Sequence, residues 1–160
     1  MSTFESVTIR EVEPSDLLTF YEQQLDPEAN RMAAFVSENP SDRAAFDVHW
    51  GKILSSPQIT QRTIVAEGRV AGYIGCYPHG DHMEVTYWLG TAFWGRGLAT
   101  RALDKMLQLV VERPIFARAA TDNIGSIRVL HKCGFKTIGE DRGYANGRRE
   151  ETKEYILRLD

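Results

Sequence analysis

The chain has 160 residues, 42% of them hydrophobic and 26% charged, with a net charge of −3. That is the length and balance of one ordinary globular domain with a substantial core, and the charge offers no field for nucleic acid. No apolar run approaches the ~20 residues of a membrane span, and the opening M-S-T-F-E-S lacks the basic-then-apolar pattern of a leader. Cys76 and Cys133 are too few and too scattered for a disulfide framework or a metal cluster. These features describe a cytoplasmic protein with neither a metal, a membrane nor a nucleic acid to bind.

In chain order, Val7 to Glu11 reads as a first strand ended by Pro14. Ser15 is placed to cap a helix carrying Leu17, Leu18, Phe20 and Tyr21. Asp26-Pro27 starts a second helix, with Asp as cap, Pro at the first helical position, and Met32, Phe35 and Val36 on one face. Asn39-Pro40 breaks it, and Ser41 or Asp42 opens a third with Phe46, Trp50, Ile53 and Leu54 at helical spacing. Residues 60–66 form a strand, Glu67-Gly68 a hairpin turn, and Val70 to Tyr77 its return. Pro78-His79-Gly80-Asp81 turns again into E-V-T-Y-W-L, a buried strand of β-branched, aromatic and large apolar residues.

A helix follows, with Leu103, Met106, Leu107 and Val110 on one side and Arg101, Asp104, Lys105, Gln108 and Glu112 on the other. Between strand and helix, Gly95 and Gly97 free the backbone for a tight turn that comes close to something. Such a turn feeding a helix start offers unpaired N–H groups and the positive end of the dipole, a site for phosphate or pyrophosphate. A dinucleotide fold is the natural competitor. Two features speak against it: Thr100 stands at the third glycine position, and residues 91–94 separate the glycines from the strand. Further on, Pro114 to Ala120 gives a fifth strand, and Asp122 or Asn123 caps a helix over 124–133 that Gly134 ends. A strand to about residue 144, an A-N-G-R turn and a last strand through Tyr155, Ile156 and Leu157 complete the chain. The order of elements describes an α+β domain with a mixed, largely antiparallel sheet.

The stretch W-G-R-G-L-A-T resembles the acyl-CoA pyrophosphate loop of the GNAT superfamily of N-acyltransferases, with Trp94 where the usual pattern has Gln or Arg. The Trp is similar to the branch that includes the ribosomal-protein N-terminal acetyltransferases. D-N-I-G-S-I-R-V-L-H-K-C-G-F, residues 122–135, resembles the family's N-x-x-S-x-x-x-x-x-K-x-G-F element. The resemblance covers residues 60–136 well and the ends loosely. It implies one GNAT domain over residues 1–160, helices on both faces of the sheet, and acetyl-CoA as co-substrate. The acceptor would be a primary amine, on a small molecule or a protein N-terminus, attacking directly in a ternary complex. By position, the pantetheine arm would pair with the backbone of Tyr87, Trp88 and Leu89, and the phosphates would sit on the N–H groups of Gly95, Arg96, Gly97, Leu98, Ala99 and Thr100. Arg96 would add a cation or stay a solvated surface arginine.

For the chemistry, the resemblance makes Glu84, at the start of the central strand, the general base for the amine, the alternative being a solvent-facing carboxylate. His79 and His82 in the preceding loop are further candidates for a catalytic part but read as solvated. Many family members carry a Tyr acid where this chain has Leu130. Ser126 is then the group to assist the departing sulfur, or else a helix cap, with Tyr87 and Tyr144 in reserve. Asn123 would bond a pantetheine amide or cap its helix. Cys133 beside His131 reads as core, as does the stripe Met32, Phe35, Phe46 and Trp50, although residues 26–50 are where acceptor specificity is expected. A non-catalytic acyl-CoA-binding or sensing domain is the alternative function. The last strand offers an edge through which two copies could pair.

Overall fold

The computed structural model describes residues 6–160. Residues 1–5, on which the leaderless reading chiefly rests, lie outside the described part. The seven strands are β1 (Val7–Glu11), β2 (Thr60–Ala66), β3 (Arg69–His79), β4 (His82–Leu89), β5 (Ile115–Ala120), β6 (Lys136–Ala145) and β7 (Glu150–Leu159). They form one sheet in the order β1-β2-β3-β4-β5-β7-β6. Only the β4–β5 pair is parallel; the others are antiparallel. Helices α1 (Asp16–Gln23), α2 (Pro27–Ala33) and α3 (Arg43–Ser55) precede β2, while α4 (Leu98–Leu109) and α5 (Ile124–Lys132) flank β5.

Strand alternation divides the core. Ile64, Ile74, Val85, Leu103, Met106, Ile115 and Leu157 are buried together beneath α4 and α5. On the opposite face Phe20 and Trp50 stack 5.0 Å apart, and Tyr73 meets Trp50 edge-on at 4.9 Å. Thus helices cover both faces, as expected. Asp26 caps α2 through the N–H groups of Glu28 and Ala29, Asp42 caps α3 through Ala45, and Asn123 caps α5 through Ser126. Glu67 and Gly68, both at positive φ, make the hairpin turn.

Four expectations need correction. Ser15 caps nothing; the neighbouring Asp16 is buried instead, receiving both Arg10 guanidinium nitrogens at 2.7 and 3.0 Å and the Thr63 hydroxyl at 2.7 Å. Helix α2 ends at Ala33, so Phe35 and Val36 are not on its face. The cause is Ala34, at φ 67 and ψ −62, with the Phe35 N–H donating to the Ala33 carbonyl at 2.7 Å: a γ-turn of the strained kind. The β6–β7 turn holds it there, because the Gly147 N–H reaches the Ala34 carbonyl at 2.8 Å and a Cβ on Gly147 would lie 2.1 Å from the Asn30 oxygen. The turn before β4 is shorter than expected, since β3 runs through Pro78 and His79. Finally, β7 lies inside the sheet between β5 and β6, so the last strand has no free edge for a second copy.

Candidate active site

Strands β4 and β5 pair only at Met83 with Ile115 and Glu84 with Phe116. Beyond Glu84 they separate, while β4 stays paired to β3 as far as Leu89 with Gly72. The Trp88 carbonyl faces β3, lying so near Gly72 that a Cβ there would stand 1.8 Å away. By alternation, the backbones of Tyr87 and Leu89 face the gap. The Leu89 carbonyl is met there by the indole N–H of Trp94 at 3.0 Å. Of the three residues expected to pair with an extended arm, two therefore present their main chain to the gap, and Trp88 offers its side chain to the cavity instead.

The gap opens into a cavity of about 670 Å³. Trp88, Tyr87, Ala120, Asn123 and Ser126 line its strand end, and Phe35, Asp42, Phe46, His49 and Trp50 line the wall made by residues 30–50. Across the gap the Tyr87 and Ser126 hydroxyls are 2.7 Å apart. Burial pushes the Tyr87 phenol up to about 12, so it stays protonated. Asn123 spends its carbonyl on the Ser126 N–H at 3.2 Å and its amide on the Met32 carbonyl at 3.3 Å, bracing α5 against α2. Ser126 is therefore not the cap; its hydroxyl belongs to the cavity.

The loop before α4 has Gly95 at φ 73 and Gly97 at φ 74, and a Cβ on either would meet nothing within 4 Å. No side chain caps α4 at Gly97, so the N–H groups of Leu98, Ala99 and Thr100 point outward. Leu98 fixes the turn by burying its side chain in the core. Arg96 pairs with the Glu67 carboxylate and lies 5.7 Å from the Phe93 ring.

Glu84 is buried rather than solvent-facing. Its carboxylate receives Arg118 Nε at 3.2 Å and the Tyr77 hydroxyl at 3.3 Å, with His79 Nδ1 at 3.5 Å. Arg118 also donates to Asp141 at 3.0 Å and Glu154 at 3.1 Å. Tyr77, Arg118 and Glu154 line the cavity, whereas Glu84 does not.

A family profile described as the acetyltransferase (GNAT) domain matches residues 6–136. The chain belongs to the GNAT family of acetyltransferases. It is 26% identical to YdaF of Bacillus subtilis over 168 residues, covering 96% of this chain and 91% of that protein. Its fold matches the ribosomal-protein-alanine N-acetyltransferase from Brucella melitensis with a TM-score of 0.80 at 17% identity, over 95% of this chain and 98% of the other. It also matches the spermidine N-acetyltransferase from Vibrio cholerae, in complex with CoA and spermine, with a TM-score of 0.75 at 16% identity over 95% of each chain.

Acetyl-CoA is the co-substrate of this GNAT domain, and the residues present fit it. Two glycines leave room at an uncapped helix start for phosphate, and the gap-facing backbone of β4 suits an extended amide arm. Tyr87, Asn123 and Ser126 meet in one place, with the glycine loop on the neighbouring element. Glu84 is near but covered. Tyr144 is 61% exposed and outside the cavity lining. His79 is largely exposed, and Leu130 is core. Cys133 is half-buried, its thiol 3.6 Å from the Thr100 carbonyl. The sequence reasoning passed over Arg118, Glu154 and Tyr77. Only Arg118 carried a signal, as a lone cation in the apolar strand I-F-A-R-A-A.

No helix among the described residues is long and apolar enough to cross a membrane.

Proposed function

We propose that this domain, acting as one unit over residues 1–160, moves the acetyl group of acetyl-CoA to a primary amine by direct attack in a ternary complex. The observation that carries the reading is the separation of β4 and β5 beyond Glu84 into a cavity reached by the Tyr87–Ser126 hydroxyl pair. The thioester supplies an activated acyl group. The chain's part is to bind the phosphates on the α4 N-terminus, align the arm along Tyr87 and Leu89, exclude water, and manage two protons. With the Tyr87 hydroxyl as the donor of the pair, the serine's own proton turns toward the departing sulfur. The amine proton leaves toward the carboxylates that Arg118 gathers, of which Glu84 is the buried member. The acceptor enters along the wall formed by residues 30–50, and the matched structures include a ribosomal-protein-alanine N-acetyltransferase and a spermidine N-acetyltransferase.

The test is CoA-thiol release with a panel of N-terminal peptides, amino acids and polyamines, with the acetylated product weighed by mass spectrometry. Release above background with at least one amine is expected. CoA binding without release on any amine would leave an acyl-CoA sensor in place of an enzyme.

A further inference from the structure

We propose that Glu154, on β7, is the catalytic carboxylate that meets the acceptor's ammonium group and takes its proton, while Arg118 and Glu84 position it. The inference rests on the acetyltransferase reading and assigns the base of that same site.

Three carboxylates on the acceptor side compete for the part, and Asp42 on the far wall is spent on the Ala45 N–H at 3.0 Å as the cap of α3. Glu84 is 5% exposed at its side chain, is absent from the cavity lining, and is engaged by Arg118, Tyr77 and His79. A buried carboxylate so engaged is a counter-ion that holds its arginine. Glu154 lines the cavity and retains 13% exposure. One of its oxygens takes Arg118 Nη1 at 3.1 Å, and the other makes no hydrogen bond among the described residues. Its place in the sheet is opposite Ala120, the last residue of β5, where the gap is open and Asn123 and Ser126 follow. Glu154 and the Tyr87–Ser126 pair thus bound the same cavity from β7 on one side and β4–α5 on the other.

The charges agree with this geometry. One guanidinium faces three carboxylates, Glu84, Asp141 and Glu154, so the cluster holds an excess of negative charge and attracts an ammonium. Tyr77 and His79 are the further titratable groups at this end, and Asp42 and His49 line the opposite wall. Burial pushes the Glu154 carboxyl up; the Arg118 bond pulls it back, and Asp141 and Glu84 push it up again. A carboxylate so placed is a better proton acceptor than one in water.

The step balances. The ammonium gives one proton to Glu154, and the freed lone pair forms the C–N bond as the C–S bond breaks. The sulfur takes a proton through Ser126. The acylated nitrogen sheds its second proton to replace it, and Glu154 returns the first to solvent.

The test is a pH–rate profile of kcat/KM for the best amine, in the wild type, Glu154→Gln, Glu154→Asp and Glu84→Gln, alongside calorimetric CoA binding. Glu154→Gln should lower kcat/KM by about 10²–10⁴-fold at neutral pH and recover partly at high pH, where free amine is abundant. Its CoA affinity should change less than about twofold, a shift within ~0.4 kcal/mol. Glu154→Asp should keep a profile of wild-type shape at a reduced rate, and covers the case in which the glutamine variant fails to fold. Glu84→Gln should lower thermal stability and shift the profile without abolishing it, as a positioning residue would. A folded Glu154→Gln enzyme with wild-type kcat/KM and profile, or a Glu154→Asp enzyme at the full rate, would overturn the assignment while leaving the acetyltransferase reading intact. A wild type that binds CoA but acetylates nothing would overturn that reading, and this role with it.

Discussion

The leaving group gives the most discriminating experiment. Replacing Ser126 by Ala removes one hydroxyl that lies 2.7 Å from the Tyr87 oxygen. Because Asn123 rather than Ser126 caps α5, the change leaves the cap intact. Stability should therefore fall only by the lost hydrogen bond, about 0.5–1.5 kcal/mol; the Tyr87 hydroxyl keeps a second acceptor in the Ser126 carbonyl at 3.3 Å. Turnover should fall much further. A single neutral donor to a developing anion is worth about 10²–10³-fold, roughly 2.7–4 kcal/mol. Tyr87→Phe should cost less, because it removes only the group that polarises Ser126. If the two act as a relay, the double variant should be scarcely worse than Ser126→Ala alone, and the cycle should show a coupling of about 0.5–3 kcal/mol. The assay is thiol release at saturating amine and acetyl-CoA, on preparations whose melting curves and CoA affinities are measured beside it. A folded Ser126→Ala enzyme turning over at the wild-type rate would refute the relay. Strict additivity would instead place Tyr87 and Ser126 in separate roles.

Gly97→Ala puts a Cβ into the open space before α4 at a positive φ, so it should cost about 1–2 kcal/mol of stability and weaken CoA severely; calorimetry giving an unchanged Kd would dismiss the phosphate loop. Asp16→Asn breaks a buried ion pair and should destabilise by about 3 kcal/mol, the low end of the usual range because Arg10 is a third exposed. Burial raises the Asp16 carboxyl, but Arg10, the Glu13 N–H and the Thr63 hydroxyl outweigh it and hold it below the usual carboxylate range. Its contribution is then full above about pH 4 and is lost as pH falls through the lowered value. Acid melting of wild type and Asp16→Asn should converge as the pH falls, and parallel curves would contradict the assignment.

What the sequence revealed of this site is what local chemistry sets. Asp26, Asp42 and Asn123 announce helix starts because a cap acts over three residues; Asp26 caps as expected, and the structure selects Asp42 over Ser41 and Asn123 over Asp122. The glycine loop is equally local, since Gly97 must sit at positive φ directly before its helix. The central strand and the N-x-x-S helix were also readable, and with them Tyr87 and Ser126. Their contact across 39 residues was not. Non-local pairing hid the rest. Arg118, Asp141 and Glu154 lie on β5, β6 and β7, and they meet only because β7 inserts between the other two. Nothing in E-E-T-K-E-Y marks which glutamate turns to the cavity until that order is known. The end of α2 was misread for a similar reason. Helical spacing runs on through Phe35, but a contact from Gly147, more than a hundred residues away, fixes Ala34 in its turn.

The gap itself has a thermodynamic consequence. A strand paired on one side only leaves alternate N–H and C=O groups without a sheet partner, and in β4 these belong to the odd-numbered residues beyond Glu84. An extended arm carrying amides completes the missing ladder, with partners at Tyr87 and Leu89 one strand period, ~6.8 Å, apart. Binding should therefore stabilise the fold where the sheet is weakest. With CoA at 100 times its Kd the gain is about 2.7 kcal/mol, or roughly 5–11 °C in Tm at ~2–4 °C per kcal/mol for a chain of this size. Hydrogen exchange resolves which groups are involved. The amides of Tyr87 and Leu89 should slow on adding CoA, whereas that of Trp88, which already faces β3, should hardly change. Protection appearing at Trp88 and missing from its two neighbours would mean that the arm lies on the other parity of β4. The cofactor path through the gap would then be wrong even if CoA still raised the melting temperature.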